Sequence, residues 1–302
     1  MRVGIIGVGH VGASVAVSLL HSGVAQTLCL HDQDTARAEG EAMDLAHGAP
    51  FYPPADVLAV DLDTVLQADV LVFAAGRNSR PGETRLQLLA DNARVAERLG
   101  RRLVGYTGVV VVVANPVDVL TRVLLEASGL PAARVLGTGT MLDTARLRQH
   151  LGQVLDVDAR SVHAQVLGEH GDSEFVHWSA AQVGGKPLRQ AAGWSVADEA
   201  RCAEAVRTAA YEIIQRKGVT NHAIGLVTAD LVRAVVRDER RVLTVSRRHD
   251  RLGGVVLSLP AVVGRHGADT VLDPVLDAAE TAALAHSAQV LQAAWDGLAP
   301  AA

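Results

Sequence analysis

Arg2-Val3-Gly4-Ile5-Ile6-Gly7-Val8-Gly9-His10-Val11-Gly12 opens the chain, and this stretch decides the fold. The short apolar run Arg2–Ile6 reads as a strand buried on both faces. Val11–Leu20 follows as a helix of small and aliphatic residues, stopped by Ser22-Gly23. Between them Gly7, Gly9 and Gly12 keep the G-x-G-x-x-G spacing. That spacing is weak evidence alone and strong evidence here, because it leaves a strand and enters a helix. Gly7 permits the tight turn, Gly9 lets backbone approach a pyrophosphate, and Gly12 lets helix and strand pack closely. The unpaired N–H groups at the helix start suit an anion.

The pattern continues outward as alternating strand and helix. Thr27–Leu30 is a second strand, ending at His31-Asp32. Asp32 lies 20 residues past Gly12, where a carboxylate accepts from both ribose hydroxyls and repels a 2′-phosphate. Arg37 falls inside the next helix, Thr35–Ala46, and is no obvious phosphate clamp, so the cofactor expected is NAD rather than NADP. Asp34 is the predicted N-cap of that helix. Strands near Asp56–Val60, at Val70–Ala75 and at Val109–Ala114 follow, with a short last one at Val135–Gly137. Long helices fall at Arg85–Leu103 and Val117–Ser128. This alternation predicts an α/β fold built on a doubly wound parallel sheet of the Rossmann kind. Val11, Ala75, Gly76 and Asn115, at helix start and strand ends, join Gly7, Gly9, Gly12 and Asp32 as expected cofactor-binding residues.

From Met141 onward the pattern changes. A helix at Leu142–Leu155 and a strand at Val162–Leu167 come first, then helices near Val196–Lys217 and Asn221–Val236. Strand-like pieces at Val242–Val245 and Gly254–Leu259 precede a terminal helix, Pro274–Leu298. The sequence therefore divides into a dinucleotide-binding domain, residues 1–140, and an α+β substrate domain, residues 141–302. With 302 residues, 49% of them hydrophobic, the chain can bury two fused subdomains. Aromatics are only 3%, so Val, Leu, Ala and Ile must build the core. The net charge is −5 and the 28 basic residues are dispersed, which leaves no footprint for nucleic acid or an anionic membrane. Cys29, in an apolar strand-like run, and Cys202, in a helical run, lie far apart and give neither a disulfide framework nor a zinc or other metal pattern. Arg2 leads straight into a strand and no apolar run is long enough for a bilayer, so the expected compartment is the cytoplasm.

The chemistry is concentrated in three later segments. Gly168-Glu169-His170-Gly171-Asp172-Ser173 presents a histidine in a polar turn, and by itself such a residue is an ordinary loop histidine. Leu142-Asp143-Thr144-Ala145-Arg146 sets a carboxylate and a guanidinium one helical turn apart. The Gly/Pro loop Arg77–Arg85 carries further arginines. Together they offer a proton-transferring base, a carboxylate to orient it and two guanidinium groups for an anionic substrate. A dehydrogenase of small 2-hydroxy acids needs that set, whereas a chain that merely senses NAD has no use for all four residues.

In combination with Gly82-Glu83-Thr84-Arg85-Leu86, Asn115-Pro116-Val117-Asp118 and Lys217-Gly218-Val219-Thr220, these motifs resemble the L-lactate/malate dehydrogenase family, and within it the bacterial L-lactate dehydrogenase branch. The resemblance runs from Gly7 to Leu259. It implies reversible hydride transfer between NADH and pyruvate, with His170 as acid and base, Asp143 orienting it, and Arg85 polarising the carbonyl from the closing loop. Arg146 is implied to grip the substrate carboxylate through its planar fork. Asn115 is implied to touch both nicotinamide and substrate, and Thr220 to line the side-chain pocket. It further implies a homotetramer. Arg148 and His163 would meet across a subunit interface, where many bacterial members bind fructose 1,6-bisphosphate as an activator.

One position departs from the pattern. Two residues before Pro81-Gly82, lactate dehydrogenases usually carry Gln and malate dehydrogenases Arg; here the residue is Ser79. Arg77 and Arg80 are out of register for pairing a second carboxylate, and Glu83 disfavours a dianion. The sequence thus favours L-lactate dehydrogenase with a relaxed pocket over a broader L-2-hydroxyacid dehydrogenase, and both over malate dehydrogenase. Ser79→Arg should move activity from pyruvate toward oxaloacetate, because a guanidinium there would pair the second carboxylate in a water-poor site. Ser79→Gln should sharpen the preference for pyruvate over bulkier 2-oxo acids modestly, since one methylene is worth only about 1–3 kcal/mol. Unmoved kcat/KM ratios in both variants would mean that Ser79 does not face the substrate.

Overall fold

The computed structural model describes residues 1–77 and 85–298, with Arg85 and Leu86 described by backbone alone. In the first half, strands β1 (Arg2–Ile6), β2 (Thr27–His31), β3 (Asp56–Ala59), β4 (Val70–Phe73), β5 (Val109–Val112) and β6 (Val135–Gly137) alternate with helices. The helices are α1 (His10–Ser22), α2 (Thr35–His47), α3 (Leu62–Val65), α4 (Arg85–Arg102) and α5 (Val117–Ser128). All six strands run parallel in the order β3-β2-β1-β4-β5-β6. This is the doubly wound sheet that the opening stretch predicts, with β1 at its centre.

The two-residue side-chain period explains why the strands read as unbroken apolar runs. Val3, Ile5, Leu28, Leu30, Val109 and Val111 face one core, packed against α1 and α2. Ile6, Cys29, Leu71, Phe73, Val110 and Val112 face the other, under α4 and α5. Both faces of the central strands are covered, so their residues are driven inside, at about 1.5–3 kcal/mol for each large aliphatic side chain, whereas the edge strand β3 leaves Asp56 and Leu58 exposed. In α1 the residues Gly12, Val15, Ala16, Leu19 and Leu20 form the buried stripe, and Gly23 in the left-handed conformation ends the helix. The Asp34 carboxylate caps α2 by accepting from the Arg37 N–H at 3.2 Å, as the sequence predicts.

The second half comprises α6 (Met141–Leu155), the short strands β7 (Val162–His163), β8 (Val166–Leu167), β9 (Phe175–Val176), β10 (Gln182–Val183) and β11 (Lys186–Pro187), and helices α7 (Val196–Lys217) and α8 (His222–Val236). Strands β12 (Arg241–His249), β13 (Val255–Gly264) and β14 (Gly267–Val271) then precede the terminal helix α9 (Ala278–Asp296). These three antiparallel strands extend the parallel sheet, because β12 pairs with β6 through Ser246 and Gly137. Among the described residues the sheet has nine strands, and it crosses residue 140 without a break.

The segment expected to form one strand at Val162–Leu167 is two. β7 pairs with β10 and β8 with β9, in separate sheets. Side chains from the preceding helix intervene: Thr144 Oγ1 accepts from the Val166 N–H at 3.0 Å, and the Thr140 hydroxyl donates to the Val166 carbonyl at 2.6 Å. The pieces at Val242–Val245 and Gly254–Leu259 belong to a longer hairpin, Arg241–His249 against Val255–Val263. The polar run Ser246–His249 hides its own strand from a hydrophobicity pattern. The terminal helix starts later than Pro274, at Ala278, where Asp277 and Glu280 form a capping box. Cys29 and Cys202 are buried free thiols. Among the described residues, no helix is long and apolar enough to cross a membrane.

Helix α8 belongs to the second half yet packs on α1 of the first. Asn221 donates to the Ser14 hydroxyl at 2.8 Å. A Cβ at Gly225 would lie 2.6 Å from the Ser14 carbonyl oxygen, closer than side chains approach backbone. Gly225→Val should therefore lower stability by about 1–3 kcal/mol through overpacking. Equilibrium urea unfolding measures this, and an unchanged midpoint would show that the helices are not seated so closely.

Candidate active site

At the carboxyl end of β1 the chain turns through Gly7, whose φ is +94° and whose absent Cβ would lie 2.5 Å from the Ala75 nitrogen. A Cβ at Gly12 would lie 1.9 Å from the Gly7 carbonyl oxygen, so these two glycines serve backbone packing. Gly9 differs: among the described residues, nothing lies within 4 Å of the position a Cβ would take. Among the described residues no side chain caps the first turn of α1, which leaves its N–H groups open to a ligand. Asp32 sits at the end of β2, accepting from the Val8 N–H at 2.9 Å and the Asp34 N–H at 3.1 Å. Gly7, Gly9, Asp32, Ala75 and Gly76 line one cleft of about 880 Å³. Open backbone at Gly9, free helix N–H groups and a carboxylate at the strand end fit a dinucleotide with an unmodified ribose. Val11 is half-buried and packs into the core beneath. Asn115 is exposed after β5; its side-chain oxygen accepts from the Val117 N–H at 3.2 Å, and its carbonyl accepts from Asn92 at 3.2 Å.

The second constellation is built around the turn after β8. His170 Nδ1 lies 2.5 Å from Asp143 Oδ2, and the Arg146 guanidinium donates to Asp143 Oδ1 at 2.8 Å. Asp143 is 2% exposed, so its charge is sustainable only with such partners. Burial opposes ionisation, but His170 and Arg146 together outweigh it and hold the carboxyl below its ordinary range. Burial also opposes charging of the ring. The Asp143 carboxylate, helped by Asp118 and Glu174, overcomes it and raises His170 from 6.5 to about 9. At neutral pH the ring is an imidazolium whose Nδ1–H is held by Asp143, leaving Nε2–H as the proton to give. His170 remains one-quarter exposed, so a substrate can reach it.

Four elements fasten the turn that carries His170. The His170 backbone N–H donates to Asp118 of α5 at 2.8 Å. Asp118 also accepts the hydroxyl of Ser246 from β12. Gly168 and Ser258 of β13 exchange both backbone hydrogen bonds at 2.9 Å. Ser287 of α9 accepts from the Glu169 N–H at 3.3 Å and donates to the Ser173 carbonyl at 2.5 Å. Burial raises Asp118 to about 6, against the hydrogen bonds from Ser246 and His170. The sequence offered no role for Asp118, although it completes the Asn115-Pro116-Val117 motif. Ser246, Ser258 and Ser287 gave no signal, and Glu174 was overlooked.

The remaining expected site residues are more dispersed. Arg85 begins α4, and its side chain lies outside the description, as does Ser79 altogether. Thr220 is half-buried in the α7–α8 connection, next to Asn221, which accepts from Lys217 Nζ at 2.8 Å. Arg148 donates from Nε to the Ala164 carbonyl at 3.0 Å, beside the exposed His163. Burial and the like charge of Arg241 lower the Arg148 pKa, placing a second guanidinium close by.

Comparison with known proteins gives a consistent answer. A family model for the lactate/malate dehydrogenase NAD-binding domain matches residues 1–137, and one for the α/β C-terminal domain of the same family matches residues 140–299. An L-lactate dehydrogenase of Synechococcus sp. (strain JA-3-3Ab) is 46% identical over 305 residues, covering 99% of each chain. That of Salinibacter ruber is 46% identical over 300 residues, covering 96% of this chain and 95% of the other. The solved minor L-lactate dehydrogenase of Enterococcus mundtii, in a ligands-bound form, superposes with a TM-score of 0.95 at 38% identity, covering 99% of this chain and 98% of that one.

The geometry around His170 predicts its titration. In Asp143→Asn the imidazolium loses its principal counter-charge, so its pKa should fall from about 9 toward the ordinary 6.5. NMR titration of the ring protons reads this directly. A His170 pKa that stays put would mean that Asp143 is not what raises it.

Proposed function

The chain belongs to the lactate/malate dehydrogenase family, and from that premise we propose that His170 exchanges a proton with the substrate oxygen as pyruvate and L-lactate interconvert. The chain is an NAD-dependent L-lactate dehydrogenase, consistent with full-length relatives bearing that name. The observation that carries the assignment to His170 is its 2.5 Å contact with Asp143, itself bound to Arg146.

Residues 1–140 would hold the dinucleotide, with Gly9 and the start of α1 facing its pyrophosphate and Asp32 its ribose. When bound, NADH supplies the hydride. Arg146 turns part of its guanidinium to Asp143 and keeps other N–H donors for the substrate carboxylate. His170 then gives its Nε2 proton to the carbonyl oxygen as negative charge builds there, and Asp143 keeps the ring in the tautomer that can do so. In the reverse direction the neutral ring takes the hydroxyl proton. Arg85 adds its charge at the carbonyl from the start of α4, Asn115 orients nicotinamide and substrate, and Thr220 and Ser79 shape the side-chain pocket. The overall balance is pyruvate, NADH and one proton to L-lactate and NAD.

The assembly proposed is a cytoplasmic homotetramer. Arg148 and His163 bind fructose 1,6-bisphosphate at an interface within it. The like charge of Arg241 near Arg148 supports this, since a phosphate dianion would offset the two guanidinium groups.

His170→Asn should lower kcat for pyruvate reduction by at least about two orders of magnitude while leaving NADH affinity almost unchanged. Stopped-flow absorbance and NADH fluorescence titration separate the two effects. Turnover near that of the wild type would remove His170 from the proton transfer. The same assay, run over a panel of 2-oxo acids with and without the sugar bisphosphate, tests substrate range and activation together.

A further inference from the structure

Glu174 is an ionisable residue that the proton relay leaves unused. It is 7% exposed and sits four residues past His170. One carboxylate oxygen of Glu174, one of Asp143 and one ring nitrogen of His170 all lie within 4.8 Å of one another. No hydrogen bond from the described residues reaches its carboxyl. Three acidic or basic groups at that spacing also resemble a metal's donor set. Asp143, however, already receives His170 on one oxygen and the Arg146 guanidinium on the other, and two cations reject a third.

Counting charge shows what Glu174 controls. With Glu174 neutral, the carboxylates of Asp143 and Asp118 are balanced by the His170 imidazolium and Arg146, and a monoanionic 2-oxo acid meets no excess of negative charge. With Glu174 ionised, the site holds one further negative charge beside Asp143, and the same substrate must enter against it. Building on the assignment of His170 and Arg146 above, we propose that Glu174 sets the charge state of the substrate site, its protonated form admitting a monoanionic 2-oxo acid and its ionised form excluding it.

The surroundings of Glu174 keep its proton within reach of ordinary pH. Burial, and next the charge of Asp143 on α6, push it up to about 8. His170 on its own turn, Arg146 on α6 and Arg207 on α7 pull the other way. Arg207 carries a buried Nε without a hydrogen-bond partner and is held through another nitrogen by Glu204. Glu174 lies close to neutrality, where the enzyme can feel it. His170 loses its own proton higher, at about 9, so alkaline pH removes two protons needed for binding rather than one.

The probe is oxamate, the amide isostere of pyruvate, titrated into the NADH-loaded enzyme and followed by NADH fluorescence from pH 6 to pH 10. Wild type should lose affinity with a slope approaching two protons on the alkaline side. Glu174→Gln should lose it with a slope of one, and at pH 9 bind about tenfold more tightly than wild type. Glu174→Asp, which restores an ionisable group, should restore the second proton. A one-proton slope in wild type, an unchanged profile in Gln, or an Asp variant that behaves like Gln each overturns the proposal. Failure of oxamate to bind wild type even at pH 6 would instead strike the assignment of the site itself.

Discussion

The constraint on which this molecule turns is the burial of two carboxylates around one imidazole. Asp143 grips the His170 ring and Asp118 grips its backbone, and both are 2% exposed. Each would cost several kcal/mol to bury alone. Each is tolerable because the other elements deliver partners to it: Arg146 to Asp143, Ser246 to Asp118. The histidine is therefore fixed at both ends, in ring and in chain. A loop histidine would otherwise sample many rotamers, and a proton donor off by an ångström is a poor one.

That fixation is distributed over the whole chain. Asp118 comes from α5, Asp143 from α6, Ser258 from β13 and Ser287 from α9. These elements can converge because β12 and β13 continue the parallel sheet instead of forming a separate one. The switch from parallel to antiparallel pairing at Gly137 and Ser246 brings the hairpin beside α5, and the hairpin carries Ser246 and Ser258 into position. The sheet is thus a common frame for the cofactor turn at Gly7 and the proton donor at His170.

Much of this was legible in the sequence where burial and periodicity agree. Strands such as Val109–Val112 are apolar throughout because both faces are covered, and the glycine spacing after β1 has one sensible geometry. Resemblance to a known family then named the roles of His170, Asp143 and Arg146. Legibility failed where buried residues are polar. Ser246 in β12 looks like a loop residue until its carboxylate partner is known, and Thr140 and Thr144 split a strand from a helix. Glu174 was missed for a related reason: an acidic residue after a polar turn reads as solvated, and only the fold places it beside another acid.

The seating of α8 on α1 has a consequence for how this protein can evolve and be engineered. The two family halves are separable as text, but not as objects. Severing the chain near residue 140 would strip α1 of the face that Gly225 and Asn221 occupy and leave β6 with an open edge of unpaired backbone groups, an invitation to aggregate. Exchange of either half with a relative's must therefore preserve two seams at once, a helix pair and a strand pair, lying on different parts of the molecule. The lineage can vary its halves only in concert.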